Sequence, residues 1–343
     1  MNMTRSKIRF HSVMVLALAG NLSTCGVAHA ESGRGERGRV AKAEASPEAA
    51  PVPAGSSSRY SLPWQLRPAT IGSEARLDSV VAAFNDANGN LDVAITSGLS
   101  VRYQLTDEIT PIMRLGFVRN NAPGAALDGS SFANPLVGAS YGRSSGPFRW
   151  ALFGATTIPI GTGGGNDPNV KAARTNLAAT TARPADDAMF AVNYLTEMVG
   201  GDFAYVSAGF SAQAEATLQA LVRVRGGESS SAFDAFRTNA AVGLHLGYFI
   251  GSHFSIGSDL RYGRWLSRPT TLNVVTGAKV PLSDRNMDVF TLALGLRLHF
   301  RFGKQTTIHP GVSVMRGFDG RAFAAPLVTQ ETTAVQLDVP VAF

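Results

Sequence analysis

Apolar and polar positions alternate with a period of two along most of this chain. Between Asp288 and Phe302, Phe290, Leu292, Leu294, Leu296, Leu298, Phe300 and Phe302 fall on one face. Thr291, Ala293, Gly295, Arg297, His299 and Arg301 fall on the other. Strand side chains point alternately to opposite faces, so this pattern predicts a strand with one apolar and one polar side. A helix would scatter the same leucines around its circumference. The stretch also exceeds the roughly 9–11 residues that a tilted strand needs to cross a bilayer.

The pattern recurs over 91–105, 148–160, 237–250 and 254–267, with Val242, Leu244, Leu246, Tyr248 and Ile250 opposing Asn239, Gly243 and His245 in one case. Further strands are expected near 76–85, 110–119, 135–143, 187–198, 203–225, 287–302, 306–316 and 327–343. The total is twelve, an even number as bacterial barrels use. The segment 203–225 keeps one parity for about twice the crossing length, so it reads as a strand that projects or bends, with a helix over 212–220 as the alternative. The segment 187–198 also admits a helix. Short connections, among them Gly200-Gly201, alternate with longer ones at 120–134, 161–186, 226–236, 268–286 and 317–326. Asn88-Gly89 reads as a hairpin turn. The fold class implied is all-β: an antiparallel up-and-down transmembrane barrel.

Composition supports this architecture. Apolar types make up 45% and charged types 16% of 343 residues, and mean hydropathy is only +0.05. A bundle of apolar helices is excluded, whereas a barrel needs only alternate apolar positions. Residues 1–30 read as a secretory signal, with Arg5, Lys7 and Arg9 ahead of a short apolar run and Ala28-His29-Ala30 as the cleavage site. Leu22-Ser23-Thr24-Cys25 offers a lipoprotein-type alternative. Residues 31–59 are rich in Ala, Gly, Pro and charge, and read as a disordered periplasmic tether. The barrel is then expected over 60–343. Tyr60 to Pro68, broken by Pro63 and Pro68, reads as an ordered lead-in to the first strand, with docking in or under the barrel as the alternative. The formal charge of +6 falls to +3 once the three leader cations are removed (28 against 25). That is too weak to argue for nucleic acid.

Two stretches carry family resemblances. Val335, Leu337, Val339, Val341 and Phe343 alternate with polar or small residues up to the final aromatic. This ending resembles the sorting signal of bacterial outer-membrane β-barrels. The resemblance implies recognition of Val339, Val341 and Phe343 by the barrel-assembly machinery, and a setting of outer-membrane lipid and lipopolysaccharide. Thr157-Ile158-Pro159-Ile160-Gly161, before a long loop, resembles transporter-like barrels of the phenol (MetA-pathway) degradation group.

The polar face supplies the candidate site. Arg102, Arg114, Arg149, Arg223, Arg225, Arg261, Arg297 and Arg301 are expected to face inward, with Asp92, Glu215, Asp259 and Asp338 as the fewer acids. An arginine excess favours anions, and cross-lumen pairing of these charges is the structural alternative. Arg297, His299 and Arg301 should project together, with His309 opposite. Gly138 to Gly142 matches G-x-S-x-G but lies within a strand rather than at an elbow. Asp86 to Asp92 has calcium-like spacing, but its glycine is at the wrong position. No motif implies a metal or a cofactor. The reading is a channel passing small solutes, with an outer-membrane enzyme using His245 and Asp259, or a surface-recognition barrel, as alternatives.

Overall fold

In a computed structural model, the described residues are 59–70, 72–85, 91–121, 128–166, 170–226, 234–268, 270–272, 279–281, 287–303, 306–319 and 332–343. All belong to the unit that runs from Ala54 to Phe343. The leader, the tether up to residue 58, Cys25, the Asn88-Gly89 turn and the long loops near 273–278 and 320–331 lie outside them.

The chain forms β1 (Glu74–Asn85), β2 (Leu91–Arg102), β3 (Ile109–Asn121), β4 (Gly129–Phe132), β5 (Leu136–Ser145) and β6 (Phe148–Thr157). Helix α1 (Val170–Ala182), a 3-10 turn (Pro184–Asp186) and the short α2 (Asp187–Phe190) follow. Then come β7 (Tyr194–Ser207), β8 (Phe210–Arg223), β9 (Phe236–Ile250), β10 (Phe254–Trp265), β11 (Thr270–Leu272) and β12 (Lys279–Pro281). The chain ends with β13 (Asp288–Leu298), β14 (Phe300–Phe302), β15 (Thr306–Ile308), β16 (Gly311–Asp319) and β17 (Thr332–Ala342). Twelve long strands pair antiparallel in the order β1-β2-β3-β5-β6-β7-β8-β9-β10-β13-β16-β17. The ring closes where β17 returns to β1, with Glu74 opposite Ala342 and Ala83 opposite Thr333. Closure leaves no unpaired edge in the ring, which is the condition for a sheet to sit in lipid.

Alternation sorts the side chains as the pattern requires. On β9, Val242, Leu244, Leu246, Tyr248 and Ile250 are exposed, while His245, Gly247 and Phe249 are buried. On β10, Ile256 and Leu260 are exposed and Asp259 and Arg261 buried. On β17, Val335 and Leu337 point out while Gln336 and Asp338 point in. An outer surface this apolar around a polar interior inverts a soluble core and fits a lipid surround.

Three expectations are corrected. The segment 203–225 is not one strand but the end of β7 and all of β8, joined by a two-residue turn. Ala208 and Gly209 both adopt positive φ (49° and 83°), the backbone a tight hairpin demands. Across two turn residues the inward parity changes: Ala204 and Val206 face in, then Ser211, Gln213 and Glu215. Tyr205 and Phe210 are therefore both outside. Second, Gly200-Gly201 is not a turn but lies inside β7. A side chain at Gly200 would collide with the Phe153 ring and the Ala216 carbonyl, so glycine there allows close approach. The strand expected at 187–198 correspondingly begins at Tyr194, after α2. Third, 287–302 breaks at His299, whose N–H bonds the His253 carbonyl. The end of that run becomes β14, paired with β15 rather than with the wall.

Candidate functional site: an occupied lumen

Two chain segments fill the barrel. The first is the lead-in, residues 59–70, which runs inside the barrel from the end that carries the short turns. Pro63 and Pro68 keep it from pairing as a strand, so its backbone donors need other partners. Wall carboxylates supply them. Asp259 Oδ2 accepts the N–H groups of Trp64 (2.8 Å) and Gln65 (2.6 Å). Glu215 accepts the N–H of Arg67 (2.7 Å) and also its guanidinium (3.1 Å). Tyr60 hydroxyl bonds Gln213, and Arg102 donates to the carbonyls of Pro68 (3.3 Å) and Thr70 (2.6 Å).

Inward glycines make room for this strap. A Cβ at Gly243 would meet Leu66 at 2.9 Å, and one at Gly247 or Gly311 would overlap Ser61 or Trp64. Gly295 likewise faces the Trp64 ring. The strap therefore lies countersunk in a wall groove formed by β9, β13 and β16. Trp64 is buried, and the Arg297 guanidinium stands 3.9 Å from its ring centroid.

The second insert is the connection between β6 and β7, expected as one of the longer loops. It instead folds inward as α1, the 3-10 turn and α2, from the end bearing the long loops. Arg183 bonds Asp78 of β1 and, through Nε, Asp186 (2.8 Å), which in turn is paired with Arg114 of β3. Gly98 and Gly116 leave space for Arg183 and Met189. Asn239 of β9 donates to Asp187 at 2.9 Å, and Arg225 donates to the carbonyls of Pro159 and Gly161. Burial alone would raise the Asp186 carboxyl, but Arg114 and Arg183 hold it well below the ordinary carboxylate range.

Between strap and helices remains a chamber of about 90 Å³. Arg67, Arg76, Arg102, Arg114 and Arg183 line it, together with Glu74, Asp78, Asp186 and Asp202. Of the residues singled out from sequence, Arg102 and Arg114 thus reach the chamber, and Glu215 and Arg261 form a buried pair beneath it (3.0 Å). Arg149 lies 5.1 Å from the Tyr60 ring centroid. Arg297 and Asp338 pair at 2.6 Å, with Arg76 on the far side of Asp338. Arg223 is half-buried at the long-loop end of β8, opposite Tyr194. Arg301 is exposed on β14, outside the lumen. Asp259 and His245 meet at 2.5 Å and are fully buried. The strap occupies the second oxygen of Asp259, so this pair anchors the strap. Strap and helix residues Trp64, Arg67, Arg183 and Asp186 carry no strand pattern and escape a reading by alternation.

His299 and His309 do come together, Nδ1 to Nδ1 at 2.7 Å, with Ser255 and Thr307 on their other nitrogens. They lie just beyond β13 and β16 at the short-turn rim. Burial, then His309 and Arg297, lowers His299 to about 3; burial and Arg297 lower His309 to about 4. Both rings are neutral in the folded chain at pH 5, whereas unfolded histidines, near 6.5, are mostly charged. The unfolded state then binds more protons, so stability falls as pH drops from about 6.5 towards 4. The heat-denaturation midpoint of the detergent-solubilised protein should drop over that window, and less so in His309→Gln. An equal drop in both proteins would remove the pair as the cause.

No family model matches the chain, and no curated protein matches it. Among solved structures it is similar to the COG4313 outer membrane channel from Pseudomonas putida F1, with 14% identity and a TM-score of 0.51 over 80% of this chain and 96% of that one. The NanC porin aligns over 78% of this chain and 98% of its own, with 10% identity and a TM-score of 0.44. The KdgM porin in complex with disordered oligogalacturonate covers 78% and 99%, with 11% identity and a TM-score of 0.39. The first of these likenesses establishes the outer-membrane barrel fold.

Proposed function

We propose that this chain is an outer-membrane channel that passes small solutes through a lumen narrowed by its own strap and helices, with a preference for anions. The observation that carries the reading is a closed ring whose outside is apolar and whose inside holds a polar chamber edged by five arginines against four acids. A lumen of this kind is wet, and its small cationic surplus attracts anions. Residues 1–30 export the chain, and the segment from 31 up to the strap tethers it on the periplasmic side. The assembly machinery reads Val339, Val341 and Phe343, and lipopolysaccharide surrounds the long-loop end. The outward Val335 and Leu337 of β17 support that insertion role. Planar-bilayer recording under a salt gradient tests the reading. Discrete conductance steps with a reversal potential on the anion side are expected. Silent bilayers would end the channel reading, and a cation-side potential would end the anion preference.

A further inference from the structure

The chamber has two unlike walls. One is formed by neighbouring strands β3, β5 and β6 and is mainly apolar, with Ile112, Leu136, Ala151, Phe153 and Ala155 beside the polar Ser140 and Arg114. Leu66 of the strap extends it as a floor, and Ala182 with Pro184 as a roof. Water gains little beside such a wall, so it favours an apolar body. The other wall comes from β17, β1 and β2 and is polar and charged, with Glu74, Arg76, Asp78, Arg102 and Gln336. The cations of the chamber are not equivalent. Arg67 is bound to Glu215 and Arg76 to Asp338, while Arg114 and Arg183 are bound to Asp186. Arg102 is buried, and its guanidinium bonds only the neutral oxygens of Pro68 and Thr70, while its Nε makes no hydrogen bond. Glu74, opposite it on β1, and Asp202 line the same chamber, but among the described residues neither forms an ion pair with it. A buried guanidinium held only by neutral oxygens gains from a carboxylate that can reach it directly.

We infer that the chamber is a selective binding site for a small amphipathic monoanion, a single carboxylate on a compact apolar body, with the carboxylate towards Arg102 and the body against Ile112 and Phe153. This rests on the channel reading and names the solute class it favours. Neither half suffices alone: a bare anion leaves the apolar wall against water, and a neutral apolar molecule leaves Arg102 uncompensated.

The probes are cyclohexanecarboxylate, acetate and cyclohexanol, presented to the full-length protein. In bilayers, cyclohexanecarboxylate should interrupt the open-channel current at concentrations at least about tenfold below acetate or cyclohexanol. Ile112→Ser should weaken it about tenfold while leaving the acetate response unchanged. In detergent, the same carboxylate should shift tryptophan fluorescence, and the shift should vanish in Trp64→Phe, since Trp64 is the tryptophan that borders the chamber. Interruption by acetate at the same concentration would reduce the site to charge alone, and by cyclohexanol to apolarity alone; either overturns the inference. Silent bilayers would overturn the channel reading, while the fluorescence shift would still decide whether the chamber binds this class.

Discussion

Deleting Tyr60–Thr70 from the full chain should raise single-channel conductance several-fold, on the order of threefold or more for a twelve-stranded lumen freed of its insert. The strap lies across the lumen between the β9, β13 and β16 wall and the chamber, held by Asp259 and Glu215. Its loss leaves those carboxylates their second partners, His245 and Arg261, so both acids stay paired. The accompanying reversal potential should move towards the cation side, because the deleted segment carries Arg67 and no acid. A second variant displaces the strap without shortening the chain. Gly295→Leu puts a side chain where the Trp64 ring now lies, and should raise conductance in the same direction. Unchanged conductance in both variants would show that the strap does not narrow the pore.

Asp338→Ala should destabilise the barrel by about 3–5 kcal/mol, the cost of removing one partner from a buried ion pair. Asp338 stands beside the closing seam. Arg76 reaches it from β1, and Arg297 reaches it from β13 by passing over Gly311 of β16. One carboxylate thus ties four neighbouring strands across the point where the first and last meet. All three side chains are buried, so its removal takes the ion-pair partner from two buried guanidinium groups at once. Urea unfolding in lipid vesicles measures the change. Asp338→Asn, which keeps one acceptor oxygen, should fall between the wild type and Asp338→Ala. A shift below about 1 kcal/mol, the range of an exposed pair, would mean that the seam does not depend on this triad.

Much of the wall was legible from the chain alone, because lipid on one side and polar lumen on the other impose a period of two on each strand. The lipid-facing residues of β9, β10 and β17 are those the alternation indicates. The reading failed where a turn leaves no gap in the pattern. Ala208-Gly209 changes the inward parity within a run that stays continuous on paper, whereas Gly200-Gly201 looks like a turn and serves a close crossing over Phe153. The lumen was read only from its wall side. Glu215 and Asp259 are inward as expected, but their partners sit on a segment with no periodicity. One signal was available: Gly243, Gly247, Gly295 and Gly311 all fall on the inward parity of their strands. Inward glycines leave a groove, and a groove beside a Pro-broken aromatic lead-in points to an internal strap. The helices between β6 and β7 left a weaker trace, because α1 is mostly Ala, Thr and Asn: its small Ala178 and Ala182 pack on Val80, Ala82 and Ala94 of the wall, and the ionic contacts come from Arg183 and Asp186 beyond its end.

The arrangement of strap against wall can be tested by one covalent bond. Leu66 Cγ, whose place a cysteine sulfur would take, lies 2.9 Å from the position of a Cβ on Gly243, about the separation between one sulfur of a disulfide and the Cβ of its partner, and Cys25 is the chain's one natural cysteine. In a Cys25→Ser background, the double substitution Leu66→Cys with Gly243→Cys should cross-link on mild oxidation of outer-membrane preparations. The oxidised channel should keep the low conductance of the wild type. Free thiols at both positions after oxidation, in a barrel that remains folded, would place the strap outside the lumen and contradict the account.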